Sequence, residues 1–308
     1  MGSSTYSWNG PNGFTSTLQN PTIGSVTTAA SGTYSVTATE NGCTGSAGTT
    51  SVTINQTASA PIAGNNSPLC SGQDLSLTAS TIASATYSWS GPNSFTSTLQ
   101  NPTISGVSTS DAGTYTVNAT VGGCTGPDAT TIVTINQTPS APVAGSNSPI
   151  CSGQTLSLTA STIGGATYNW NGPLSFTSAL QNPTIAAAST GRSGTYSVTA
   201  STGGCTSSVA TTSVTVNPTP AIVAGANSPV CTGNTLSLTS TTVAGATYSW
   251  NGPFSFTSTL QNPTIPAVSS VNAGNYTVTA TSAAGCVSNN AIKNVVVTAP
   301  ISVSAGAD

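Results

Sequence analysis

Hydrophobic residues along this chain recur at every second position, the period of a half-buried β-strand. In residues 74–80 (DLSLTAS), Leu75, Leu77 and Ala79 alternate with polar neighbours. In residues 85–91 (ATYSWSG), Tyr87 and Trp89 fall on one face, and in residues 113–120 (GTYTVNAT), Tyr115 and Val117 do the same. Residues 59–64 (SAPIAG) read as an edge strand, where proline is tolerated. Residues 99–104 (LQNPTI) read as a short extended segment that Pro102 keeps off the sheet centre, and residues 130–135 (TTIVTI) close the unit. Short strands separated by Gly, Pro, Asn and Ser, with no helical periodicity, predict an all-β sandwich.

The pattern repeats. TYSWNGPNGFTSTLQNPTI begins at Thr5 and returns, slightly altered, at Thr86, Thr167 and Thr247. The tryptophans stand at Trp8, Trp89, Trp170 and Trp250, giving spacings of 81, 81 and 80. A period this long suits a complete small domain in tandem better than a solenoid repeat of about 20–50 residues. The expected division is an incomplete module at 1–58, whole modules at 59–139, 140–219 and 220–298, and a tail at 299–308 that is the first strand of a following module or a donor strand. The first module starts at its Trp strand, without the two strands and the cysteine that precede it elsewhere. MGSS at the start reads as a cloning leader or an arbitrary cut, so the chain reads as a window on something longer.

Each module carries one Trp on its third strand and one Tyr on its penultimate strand: Tyr34, Tyr115, Tyr196 and Tyr276. These eight aromatics are the expected core, and they resemble the core Trp and tyrosine corner of immunoglobulin-like domains. The stretches SPLCSGQDLSLTAS (residues 67–80), YSW.GP..F, GTYTV and GGCT (residues 122–125) resemble the Ig-like and PKD-like tandem domains of large secreted or cell-surface proteins of Bacteroidetes-type bacteria. The resemblance spans almost the whole chain. It implies a tandem array of Ig-like β-sandwich modules of about 80 residues, serving as stalk, spacer, adhesin or filament segment.

Composition narrows the function. Charged residues make up 2% of the chain, with two basic residues (Arg192, Lys293), five acidic ones and no histidine. Nucleic-acid binding needs a Lys/Arg footprint that is missing here. Acid–base catalysis draws mainly on His, Glu, Asp or Lys. Calcium sites need clustered carboxylates, and Asp74, Asp111 and Asp128 are scattered. The sequence therefore predicts no enzyme, no cofactor and no metal site. No apolar run reaches 18 residues, so no membrane span is expected. Hydrophobic residues at 36% with period 2 argue against disorder despite the Ser/Thr/Gly richness. Hydroxyl-rich faces are candidates for O-linked sugar, and the sequons at Asn118 and Asn275 are weak signals.

The seven cysteines alternate between an SPxC(S/T)G site (Cys70, Cys151, Cys231) and a GC site after the Tyr strand (Cys43, Cys124, Cys205, Cys286). Without His or CxxC, disulfides in an oxidising extracellular compartment are expected rather than zinc. The near-constant spacing favours pairing inside a module, Cys70–Cys124, Cys151–Cys205 and Cys231–Cys286, with Cys43 unpaired. Pairing across a junction, such as Cys70–Cys205, is the alternative, because in a standard Ig topology the two sites lie at opposite ends of the sandwich.

The expected function is a structural repeat segment of an extracellular filament, stalk or surface fibre, assembling head to tail by strand addition. The alternative is an adhesin or carbohydrate-binding array. The partner expected is the chain itself or further repeats, with surface glycans possible and neither nucleic acid nor membrane span involved. Leu174 and Phe254, at the variable tip of the GP turn, and Ile301 and Val303 in the tail are the candidate inter-subunit contacts.

Overall fold

The computed structural model describes residues 4–301, which form short strands and single-turn 3-10 segments with no α-helix among them. The chain divides into two compact units: Met1–Thr138 with Gly203–Cys205, and Pro139–Thr202 with Thr206–Asp308.

In the first unit, the second repeat shows the complete sandwich. One antiparallel sheet runs Phe95–Ser97, Thr86–Gly91, Gly113–Val121, and both Cys124–Thr125 and Ala129–Val133 pair with that last, Tyr-bearing strand. The facing layer places Leu75–Ala79 between Thr103–Ile104 and Ala63–Asn65. Leu69–Cys70 runs parallel to Ile135–Asn136. The core between the layers holds Leu75, Leu77, Trp89, Tyr115, Val117 and Val133, each 2% exposed or less. The expected edge strand at 59–64 begins only at Ala63, and of the segment 99–104 only Thr103–Ile104 pairs. Leu99 is 64% exposed, so the alternation stops before it.

Three devices recur in each repeat. The indole Nε1 of Trp89 donates to the carbonyl of Gln100 at 3.2 Å, and Trp170 and Trp250 do the same to Gln181 and Gln261. A buried indole N–H needs such a partner. The Tyr115 hydroxyl donates to the Asp111 carbonyl four residues upstream at 2.9 Å, as Tyr196 does to Arg192 and Tyr276 to Asn272 at 3.0 Å. This is the tyrosine corner. Burial raises the pKa of all three tyrosines above the ordinary phenol value. Finally, the glycine of each GP pair lies close against the Tyr ring: a Cβ on Gly91, Gly172 or Gly252 would come within 2.3–2.5 Å of two ring carbons of Tyr115, Tyr196 or Tyr276. Phe95, Phe176 and Phe256 meet the same rings edge-on at centroid distances of 5.5–5.6 Å. So GP is more than a turn; it is where backbone passes beneath the core aromatic.

The second unit repeats this plan twice. Leu156–Ala160 and Leu236–Ser240 face the Trp strands Thr167–Gly172 and Thr247–Gly252. Their cores, built on Leu156, Leu158, Trp170 and Tyr196 and on Leu236, Leu238, Trp250 and Tyr276, are closed to solvent.

The first repeat differs. Its sheet Thr15–Ser16, Thr5–Asn9, Gly32–Glu40, with Cys43–Thr44 and Gly48–Val52 on the last strand, matches the others. Tyr34 is buried and bonded to the Ala30 carbonyl at 2.7 Å. Among the described residues of 4–58, no strand covers the apolar face of that sheet, and Trp8 is only half-buried.

Two outcomes follow. Gly172→Ala should destabilise the third repeat by about 1–3 kcal/mol through overpacking against Tyr196. Gly164→Ala, where an added Cβ meets nothing within 4 Å, should be near neutral. Hydrogen-exchange mass spectrometry reads each repeat separately and checks both. In the second repeat, the Ser108 backbone N–H, then the Asn93 amide and the Ser108 hydroxyl, hold the Asp111 carboxyl below its ordinary range. Its folded pKa is depressed, so this stabilisation is present above the unfolded pKa and is lost as pH falls through the folded one. Exchange protection around Ser108–Tyr115 should therefore fall below about pH 4, whereas the corresponding corners at Arg192 and Asn272 should hold.

Candidate functional site

No cluster of three His, Cys, Asp or Glu that could hold a metal is found among the described residues. The chemistry the chain does carry sits at the ends of its repeats. At one end, the short parallel ladder of Leu69–Cys70 with Ile135–Asn136 puts the first cysteine beside the end of the last strand. Ser71 fixes that end: its N–H donates to the Asn136 carbonyl at 2.9 Å, and its hydroxyl accepts from Thr138 N–H at 2.9 Å. Ile150–Cys151 with Val216–Asn217, and Val230–Cys231 with Val297–Thr298, form the same ladder. At the other end, the second cysteine follows a two-residue hairpin turn with both residues at positive φ, Gly122-Gly123 before Cys124 and Gly203-Gly204 before Cys205.

The cysteines pair between these two kinds of end. Cys70 is bonded to Cys205, and Cys151 to Cys286, each with Cα atoms 5.6 Å apart and a sequence separation of 135. The expected in-module pairs Cys70–Cys124, Cys151–Cys205 and Cys231–Cys286 are therefore corrected. The first cysteine is pinned beside the end of the last strand, away from its own Tyr hairpin, and so meets the hairpin of the following repeat. Constant spacing reflected the period of the repeat and not a bond within it. Cys231 and Cys124 join Cys43 as free thiols.

Hydrogen bonds mark the same joints. Asn136 Nδ2 donates to the Gly203 carbonyl at 2.7 Å beside the Cys70–Cys205 bond. In the first unit, Asn55 Nδ2 donates to the Gly122 carbonyl at 2.6 Å, and the Cys124 thiol lies 3.8 Å from the Asn55 carbonyl, as the Cys205 sulfur does from Asn136. Cys124 thus stands at a finished joint that lacks only the opposing cysteine. A Cβ on Gly126 would run into the Ala58 carbonyl, so close backbone approach belongs to this joint too. The sequence reading missed Asn55 and Asn136; their place just after the last apolar pair of a repeat was the available signal.

The second candidate feature is the uncovered face of the first repeat. It forms a cavity of about 430 Å³ lined by Trp8, Phe14, Ile23, Val26, Tyr34 and Ile54, among others. In the second repeat this face is closed by Leu75–Ala79, and two side chains of LQN hook that strand in place. Gln100 Nε2 donates to the Ala79 carbonyl at 2.8 Å, and Asn101 Oδ1 accepts from Ala79 N–H at 3.0 Å. Gln181 and Asn182 grip Ala160 in the same way, and Gln261 and Asn262 grip Ser240. In the first repeat Gln19 and Asn20 are exposed, and Ile23 and Val26 are 40% and 46% exposed.

The remaining nominated residues lie apart from these features. Leu174 and Phe254 project from their tips at 64% and 79% exposure, each with positive φ. Ile301 is 92% exposed, and Val303 lies outside the described residues. Of the two sequons named above, Asn118 Nδ2 donates to Asp128, and Asn275 Oδ1 accepts from Asn294. No helix among the described residues is long and apolar enough to cross a membrane.

No curated protein sequence matches the chain. Among solved structures, the N-terminal eight Ig domains of Down Syndrome Cell Adhesion Molecule are similar at 14% identity and a TM-score of 0.44, over 96% of this chain and 47% of that one. This chain thus spans about half the length of that structure. Extracellular domains 3–5 of Drosophila OTK are similar at 15% identity and a TM-score of 0.36, over 80% and 96% of the two chains. The mouse nectin-like molecule 4 ectodomain is similar at 14% identity and a TM-score of 0.37, over 77% and 98%. Residues 139–218 match the family model described as Ig-like domain, CHU_C associated, and the chain is a tandem array of Ig-like β-sandwich modules.

Proposed function

We propose that this chain is a non-enzymatic structural segment of an extracellular filament, stalk or surface fibre. The observation that carries this reading is the direction of its disulfides: both join one repeat to the next. A domain stabilised for its own sake would close a loop within itself. A covalent bridge between consecutive repeats instead resists their separation, the requirement of a load-bearing array. Disulfides persist in oxidising compartments, which supports secretion or surface display.

Assembly proceeds by strand addition. The face of the first repeat lined by Trp8, Phe14 and Ile23 is an acceptor for a strand whose inward side chains match Leu75, Leu77 and Ala79. The tail of a second copy has that pattern: residues 301–305 read Ile-Ser-Val-Ser-Ala against Leu-Ser-Leu-Thr-Ala at 75–79. Burying two such apolar side chains contributes about 1.5–3 kcal/mol each. The resulting contact is heterologous and does not close, so it propagates into a fibre.

Electron microscopy tests this on the 308-residue chain and on a version ending at Thr298. The full chain should form regular filaments, and the shortened one should not. A synthetic peptide of residues 299–308 added in excess should cap the full chain as short species. Filaments that persist without the tail would overturn strand addition.

A further inference from the structure

We propose that Cys231 and Cys43 are two halves of one intermolecular joint, forming a disulfide between the last repeat of one copy and the first repeat of the next. The inference deepens the fibre reading and rests on it. Two examples of the joint are on view, Cys70–Cys205 and Cys151–Cys286, and each has a seat and a plug.

The seat is complete around Cys231. Val230–Cys231 pairs in parallel with Val297–Thr298, in the register that Leu69–Cys70 takes with Ile135–Asn136. Thr232 N–H donates to the Thr298 carbonyl at 2.9 Å, as Ser71 N–H does to Asn136. Cys231 is exposed.

The plug is complete around Cys43. Asn41 and Gly42 form a two-residue turn at φ 51° and 82°, against 55° and 82° for Gly203 and Gly204. Gly45 N–H donates to the Ala38 carbonyl at 2.9 Å, as Ser207 N–H does to Ala200 at 2.8 Å. The Thr39 and Thr44 hydroxyls lie 2.8 Å apart, like those of Ser201 and Thr206. These bonds lie in the sheet that the first repeat retains in full, so the uncovered face does not disturb the plug. Cys43 is exposed as well.

One element of the joint changes. Thr298 stands where Asn136 donates to the Gly203 carbonyl. The Cys151–Cys286 joint shows that this bond is dispensable, since Asn217 makes no corresponding side-chain bond among the described residues. Charge offers no obstacle, because the whole chain carries two basic and five acidic residues. The tail assigned to strand addition leaves from Thr298, beside Cys231, so strand and disulfide would join the same two repeats. The step is an oxidation: Cys231 and Cys43 each lose a proton and together two electrons. A small-molecule disulfide such as oxidised glutathione accepts both and leaves as two thiols.

The test is non-reducing electrophoresis of the 308-residue chain in a glutathione redox buffer, with mass spectrometry of the linked peptides. The native chain should give a ladder of oligomers, collapsed by dithiothreitol, whose linked peptide joins Cys43 to Cys231. Cys43→Ser and Cys231→Ser should each abolish the ladder, and Cys124→Ser should keep it. Mixing Cys43→Ser with Cys231→Ser leaves one competent end on each partner, so it should yield dimers and nothing longer. A ladder linked through Cys124, Cys231–Cys231 dimers, or monomers carrying glutathione on Cys231 would overturn the proposal. Filaments seen by microscopy without the Cys43–Cys231 peptide would overturn the disulfide alone. The absence of both filaments and ladder would overturn the fibre reading together with the disulfide.

Discussion

Everything in these repeats depends on one pairing of surfaces: a sheet that presents Trp and Tyr, and a narrow strand that covers them with two leucines. Leu75, Leu77, Trp89 and Tyr115 are each closed from water only because the other layer is present. Neither layer is viable alone, since a small domain has little apolar area to spare. The LQN block makes the pairing specific. Its Gln and Asn side chains grip the Ala79 backbone from both sides, while the Gln100 carbonyl receives the Trp89 indole. The same block at Leu18–Asn20 has a tryptophan to receive but, among the described residues, no strand to grip.

The near-absence of charge shapes how the rest is held. No ion pair contributes among the described residues, and loops are fixed instead by neutral side chains bonded to backbone. Ser31 links to Ile54, Ser193 to Val216, and Asn147 to Ser157, each by an amide or hydroxyl. Such bonds contribute about 0.5–1.5 kcal/mol apiece, and salt screens them little compared with surface ion pairs. With little net charge, neighbouring molecules also repel one another weakly.

Much of this was legible in the residues. Period-2 alternation marked the covering strand and the Trp and Tyr strands, because each has one buried face. The period of 80–81 residues between the tryptophans marked the recurrence of the same sheet along the chain. The two-residue strands escaped: Leu69–Cys70 and Cys124–Thr125 are too short to show a period, and they are the segments that carry the cysteines. Pairing therefore could not be read from spacing. It depended on which end of the sandwich each cysteine occupies, and that is decided by the parallel ladder with Ile135–Asn136. The role of GP was half visible: proline announces a turn, but only the Tyr ring lying against Gly91 explains why no larger residue stands there.

The stagger of the two disulfides has a mechanical meaning. The loop closed by Cys70–Cys205 and the loop closed by Cys151–Cys286 overlap, sharing the stretch from Cys151 to Cys205. Tension entering at the amino end crosses to Cys205 through sulfur at Cys70, and leaves through Cys151 and Cys286. The shortest covalent route between the two bridges is that shared stretch, run backwards. Less than half of the chain's 308 residues lie on the load path. Even with every strand torn out, the oxidised chain could lengthen to less than half its contour, roughly 3.3–3.6 Å for each residue on that route. Overlapping loops of this kind act as a stitch rather than a row of buttons: neither the second, the third nor the fourth repeat can be drawn out without loading a neighbour.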